Sequence, residues 1–158
     1  MSGMTLEERI ARALLAQHKT LSIAESCTGG LLSNRLTNIP GSSGFLLASV
    51  ISYSNAAKTK LLKVPEALIR KHGAVSEAVA MKMADGAQRL QKSDFGIGIT
   101  GIAGPDGGSR QKPVGLVFIA VTTPTEQLCA KCRFKGNRLQ IKRAAATEAL
   151  RLLGEFLF

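Results

Sequence analysis

Two short stretches of this sequence gather side chains that could do chemistry. Glu25-Ser26-Cys27-Thr28-Gly29-Gly30 sets two hydroxyls and a thiol beside a glycine pair. Thr100-Gly101-Ile102-Ala103-Gly104-Pro105-Asp106-Gly107-Gly108 is a glycine-rich run with one acid. A serine hydroxyl attacks a carbonyl only with a base beside it. His18 and His72 are the two histidines, each expected in the last turn of a helix, where a cation complements the dipole. Neither has an acid placed to complete a triad. Lysine is the other base, because burial lowers its pKa. Lys58 follows Tyr53-Ser54-Asn55, just after an expected strand, and so reaches the same sheet edge as Ser26. By spacing alone Lys58 is one lysine among many, and Ser26 or Thr28 could serve simply as a helix cap. The second stretch lacks the Gly-Lys-Ser/Thr ending of a P-loop, so a nucleotide triphosphatase is excluded. Its amides can bind an anion, or the run can be a plain loop.

The elements that must position these residues follow from periodicity and punctuation. Thr5 and Glu8 form a capping box, and Leu6, Ile10 and Leu14 share one face of a helix expected to end near His18. Thr20 to Ala24 reads as a short buried strand, Leu31 to Ile39 as a helix, and Leu46 to Ser54 as a second strand. Short helices are expected over Ala56 to Leu62 and Glu66 to Lys71, then a longer one capped by Ser76 and ending near Leu90. Phe95 to Thr100 is a third strand. Val114 to Thr122 and Gln127 to Phe134 are strands joined by a turn too short for a parallel crossover. Arg138 to Phe158 closes the chain as an amphipathic helix. This order predicts an α/β fold, a three-layer α/β/α sandwich whose mixed, mostly parallel five-stranded sheet has one antiparallel strand. Ligands of such sheets bind beyond the carboxyl ends of the parallel strands, where both chemical stretches fall. The first sits at a helix N-terminus, whose free amides could hold a phosphate or an oxyanion, with Gly29 and Gly30 allowing close approach.

Composition bounds the partners. The 158 residues carry 45% hydrophobic and 20% charged residues, as expected of one globular domain over 1–158. No apolar run is long enough to span a bilayer. Glu7, Glu8 and Arg9 interrupt the stretch a secretory signal would need, so a cytoplasmic protein without membrane association is expected. The formal charge of +10 favours an anionic partner, and Lys131, Arg133, Lys135, Arg138, Lys142 and Arg143 fall within an acid-free run. One Tyr, no Trp and no recognisable module argue against nucleic acid. Cys129 and Cys132 have metal-like spacing but lie on an alternating strand that points them to opposite faces.

Five motifs in order carry a resemblance: AESCTGG (Ala24 to Gly30), YSNAAK (Tyr53 to Lys58), HGAVS (His72 to Ser76), TGIAGPDGG (Thr100 to Gly108) and KPVG (Lys112 to Gly115). Over about Leu21 to Leu152 the chain resembles the CinA C-terminal family, whose characterised members are nicotinamide-nucleotide amidases. The resemblance implies hydrolysis of nicotinamide mononucleotide to nicotinic acid mononucleotide and ammonia, without metal or other cofactor, in pyridine nucleotide salvage. It implies Ser26 as nucleophile, Lys58 as base and Tyr53 as an assistant to proton transfer or holder of the nucleophile. Thr100 is implied in the pocket and Arg138 on the phosphate; Thr28, Gly29, Gly30, Asn55, Gly101 and Gly104 complete the expected substrate-binding set. The implied fold is a mixed-sheet sandwich similar to anticodon-binding domains. Asn137 stands where many members have Asp, and Leu116 where a threonine often follows KPVG. Many relatives add an N-terminal nucleotide-processing domain, which is not expected here. A catalytically silent nucleotide-binding protein and a DNA-associated accessory protein are the rival readings, and a homo-oligomer stays open.

Overall fold

The computed structural model describes residues 3–158. Helix α1 (Leu6–Ala16) starts on the expected capping box and leads into β1 (Leu21–Glu25). After α2 (Leu31–Thr37) and a 3-10 turn comes β2 (Leu46–Ile51). Helices α3 (Asn55–Leu62), α4 (Glu66–His72) and α5 (Glu77–Gln91) precede β3 (Phe95–Gly101). A hairpin of β4 (Leu116–Thr122) and β5 (Gln127–Arg133) then leads to α6 (Arg138–Gly154).

The sheet order is β2-β1-β3-β4-β5. Strand β1 pairs in parallel with both β2 and β3, while β4 runs antiparallel to both β3 and β5. Four strands therefore share one direction and β4 alone opposes them, as the sequence predicts. Two expected elements are shorter than their apolar patterns. Strand β2 stops at Ile51, and α6 stops at Gly154 before three further residues in turns.

Alternation divides the strands' side chains between two layers. Ile23, Ile97, Ile99, Ile119 and Val121 pack beneath α1, α2 and α6 with Leu14, Leu36 and Leu150. Each such fully buried side chain contributes roughly 1.5–3 kcal/mol of burial free energy. On the other face Ala24, Leu62, Val79, Met83, Leu116 and Ala120 pack among α3, α4 and α5. There α5 lies directly on the backbone of β3. A Cβ at Gly96 or Gly98 would run into the carbonyls of Ala84 and Ala80, so only glycine permits this approach. Cys129 packs on the α5 face and Cys132 on the α6 face, the opposed directions predicted by alternation.

Candidate active site

Strand β1 lies between β2 and β3, so the connections from it run to opposite sides of the sheet. Beyond the carboxyl end of β1 opens a cleft of about 260 Å³, lined among others by Ser26, Cys27, Lys58, Thr100 and Arg138. This is the switch point where open α/β sheets place ligands. The lining residues come from strand ends, helix starts and the loops beside them.

Ser26 directly follows β1. Lys58 lies one turn into α3, whose N-terminus is set by the Ser54 hydroxyl accepting from the Ala57 amide. The Lys58 Nζ stands 2.9 Å from Ser26 Oγ and donates to the Ser52 carbonyl at 2.7 Å. Lys58 is only 1% exposed, and burial pushes its pKa below the ordinary lysine value, opposed by the neighbouring Cys27. A neutral amine has one lone pair. With one N–H committed to Ser52, that lone pair can face the serine hydroxyl and accept its proton. The Ser52 amide in turn donates to the Glu25 carbonyl at 2.9 Å, closing a ring through Glu25, Ser26, Lys58 and Ser52.

Cys27, the competing nucleophile, is buried in the main core. Desolvation raises its thiol to about 11, outweighing the bond from its own amide. It is a neutral thiol at pH 7. Both histidines are exposed and neither lines the cleft. His72 ends α4 as expected, but α1 stops earlier than the sequence suggests, leaving His18 beyond the Gln17 cap at φ 52°.

The cleft's rim is built by long-range contacts. Arg138, first residue of α6, donates to the Tyr53 hydroxyl at 2.8 Å and to the Gly104 carbonyl. Tyr53 is therefore bonded to the rim arginine and not to Ser26 or Lys58. Asn137 caps α6 by accepting from Gln140 at 2.9 Å, with Gln140 returning a bond to the Asn137 amide. Asn thus performs the capping that Asp would perform. Thr100 donates to the Ala74 carbonyl at 2.9 Å, and Lys112 donates to the His72 carbonyl, so HGAVS is tied to both later motifs. Asn55, Gly101 and Gly104 also line the cleft, Gly104 at φ +80°, where Val114 leaves no room for a side chain.

Thr28, Gly29 and Gly30 do not line the cleft. Nor is the start of α2 an open anion site. The fully buried Glu25 carboxylate accepts from the Leu32 amide (3.1 Å), the Ser33 amide (3.0 Å) and the Ser33 hydroxyl (2.6 Å). An internal anion already occupies the amides that sequence reasoning offered to a phosphate. Neither Ser26 nor Thr28 caps α2; the Thr28 hydroxyl is buried without a protein partner. Glu25 itself was missed because it ends an apolar strand. The Asn137-Gln140 box, by contrast, has a readable sequence signature.

Fold and cleft together define an α/β protein with a buried serine–lysine pair at the switch point of a mixed sheet. The chain belongs to the CinA family, whose C-terminal domain model matches residues 3–157. It is 50% identical over 154 residues to a CinA-like protein of Syntrophus aciditrophicus, covering 97% of this chain and 37% of that protein. The chain thus spans little more than a third of that curated relative. Among solved structures, a competence-damaged protein (CinA) superfamily member from Klebsiella pneumoniae superposes with TM-score 0.93 at 36% identity, covering 96% of this chain and 95% of the other. The competence/damage inducible protein CihA from Agrobacterium tumefaciens gives TM-score 0.90 at 37% identity, with 98% of both chains covered. Among the described residues no helix is long and apolar enough to cross a membrane.

Proposed function

We propose that this chain is an amidase that hydrolyses the carboxamide of nicotinamide mononucleotide in the cytoplasm, with Ser26 as nucleophile and Lys58 as base. The observation that carries the reading is the 2.9 Å approach of a buried, pKa-lowered lysine amine to a serine hydroxyl at the end of β1. A lysine buried in this way costs stability, and base catalysis is what recovers a use for it.

In the proposed reaction neutral Lys58 takes the Ser26 proton as Oγ bonds to the carboxamide carbon. The resulting ammonium, held by the Ser52 carbonyl, gives that proton to the nitrogen, and the C–N bond breaks to release ammonia. Water then attacks the acyl-serine carbon, Lys58 accepting its proton and returning it to Ser26 Oγ. The products are nicotinic acid mononucleotide and free enzyme. Arg138, steadied by Tyr53 and Gly104, is the cation at the rim for the substrate phosphate. Thr100 and Asn55 shape the wall, and no metal or redox group takes part in any step.

Ammonia release from nicotinamide mononucleotide, compared between the native chain and Ser26→Ala, tests the reading. The native chain should release ammonia and the variant should not. A native chain inert on a panel of carboxamides, yet binding the mononucleotide, would return the silent nucleotide-binding reading.

A further inference from the structure

We infer that Glu25 is a positioning residue for the Ser26–Lys58 pair, acting as a buried carboxylate; the inference rests on the serine–lysine reading above. A carboxylate with no exposed surface costs several kcal/mol unless hydrogen bonds replace its water. Glu25 receives three such bonds, all from Leu32 and Ser33 in the first turn of α2. Its side chain therefore ties the end of β1 to the start of α2, across the intervening turn Ser26 to Gly30. That turn is short, and its backbone closures are the Gly29 amide on the Ser26 carbonyl at 3.0 Å and the Leu31 amide on the Thr28 carbonyl at 3.1 Å.

The backbone of the same residue does the complementary task. The Glu25 carbonyl accepts from the Ser52 amide, and the Ser52 carbonyl accepts from Lys58 Nζ. One residue thus fixes the nucleophile's turn through its side chain and the base's acceptor through its main chain. If Glu25 served only to cap α2, a neutral amide of equal length would leave the pair's reactivity intact. If it holds the pair in register, glutamine fails, because its NH₂ group meets N–H donors where the carboxylate met them as an acceptor.

The test reads serine reactivity without the substrate: phosphonylation of Ser26 by a fluorophosphonate, followed by intact mass and peptide mapping across pH. In the native chain the labelling rate should rise with pH as Lys58 becomes neutral. Glu25→Gln, folded by circular dichroism, should label about tenfold or more slowly, since small misplacements of reacting groups cost that much. Its pH limb should flatten, and KM for the mononucleotide should stay close to native while kcat falls. If Glu25→Gln does not fold, Ser33→Ala, which removes one donor and keeps both amides, should slow labelling and shrink the limb. A lowered Tm with native labelling rate and full pH limb in either folded variant would reduce Glu25 to a helix cap. No labelling of Ser26 in the native chain is a different failure, bringing down the serine–lysine reading itself.

Discussion

Among the helices that begin near the cleft, α2 and α6 have first turns that are electrostatic opposites. The start of α2 is closed by the chain's own Glu25 carboxylate, which takes the Leu32 and Ser33 amides. The start of α6 is capped by neutral Asn137 and carries Arg138, Lys142 and Arg143, with no acid in its first turn. Cations at a helix N-terminus oppose the dipole, so the second arrangement is locally unfavourable. On the proposed reading the contrast separates two tasks: the Glu25 carboxylate at α2 holds the reacting groups still, while the cations at α6 serve an incoming anion.

The largest expected effect lies on the α2 side. Lys58→Met should lower kcat/KM by about 10²–10⁴-fold, the range of general-base catalysis, and abolish the rising pH limb. Lys58→Arg should not rescue, because guanidinium stays protonated. Lys58→Met should also raise Tm near neutral pH. Unfolded Lys58 binds a proton that the folded site disfavours, so native stability rises with pH between the lowered folded value and about 10.4, and methionine removes that dependence. A Tm that falls in Lys58→Met, with the pH limb intact, would break the comparison at its stronger end.

On the α6 side Arg138→Ala should cost roughly ten- to a hundredfold in kcat/KM on the mononucleotide, mainly through KM. Free nicotinamide, lacking phosphate, should be a poor substrate whose efficiency barely responds to this change. Equal losses on both compounds would move Arg138 from phosphate binding to the chemistry. A smaller effect is expected one residue earlier. Asn137→Ala should lower stability by about 1 kcal/mol in denaturant melts, while Asn137→Asp should keep the cap and weaken anion binding modestly. Smallest of all, Cys27→Ser should leave turnover within about twofold, since a thiol raised to about 11 is inert at neutral pH. Loss of activity there, with Ser26→Ala active, would hand the nucleophile's role to sulfur.

What the sequence reveals of this site depends on how far the partners are apart. The shared edge of Ser26 and Lys58 was legible because both follow parallel strands, but spacing left Lys58 one lysine among many, and the motif resemblance alone singled it out. The sheet's single opposed strand was equally legible from the short turn between β4 and β5. Tyr53 with Arg138, and Thr100 with Ala74, are contacts between segments whose spacing carries no periodic signal. Glu25 was illegible for a different reason: polarity at the end of an apolar strand looks the same whether the carboxylate faces water or a helix. The boundary at Ile51 escaped because the strand-like pattern continues into Tyr53, whereas the ladder ends with the Ser52 amide on the Glu25 carbonyl.

The glycines of β3 set a limit on how this molecule can drift. With α5 resting on backbone at Gly96 and Gly98, the gap between helix and strand has no adjustable spacer. Ser76 starts that helix and Ala74 lies just before it, bonded to Thr100 at the far end of the same strand. A methyl group at Gly98 would meet the Ala80 carbonyl and the Ala84 amide, so α5 and the Ala74 segment ahead of it would have to shift. Alanine at 98 should therefore cost stability outright, with the cleft wall altered in whatever protein still folds.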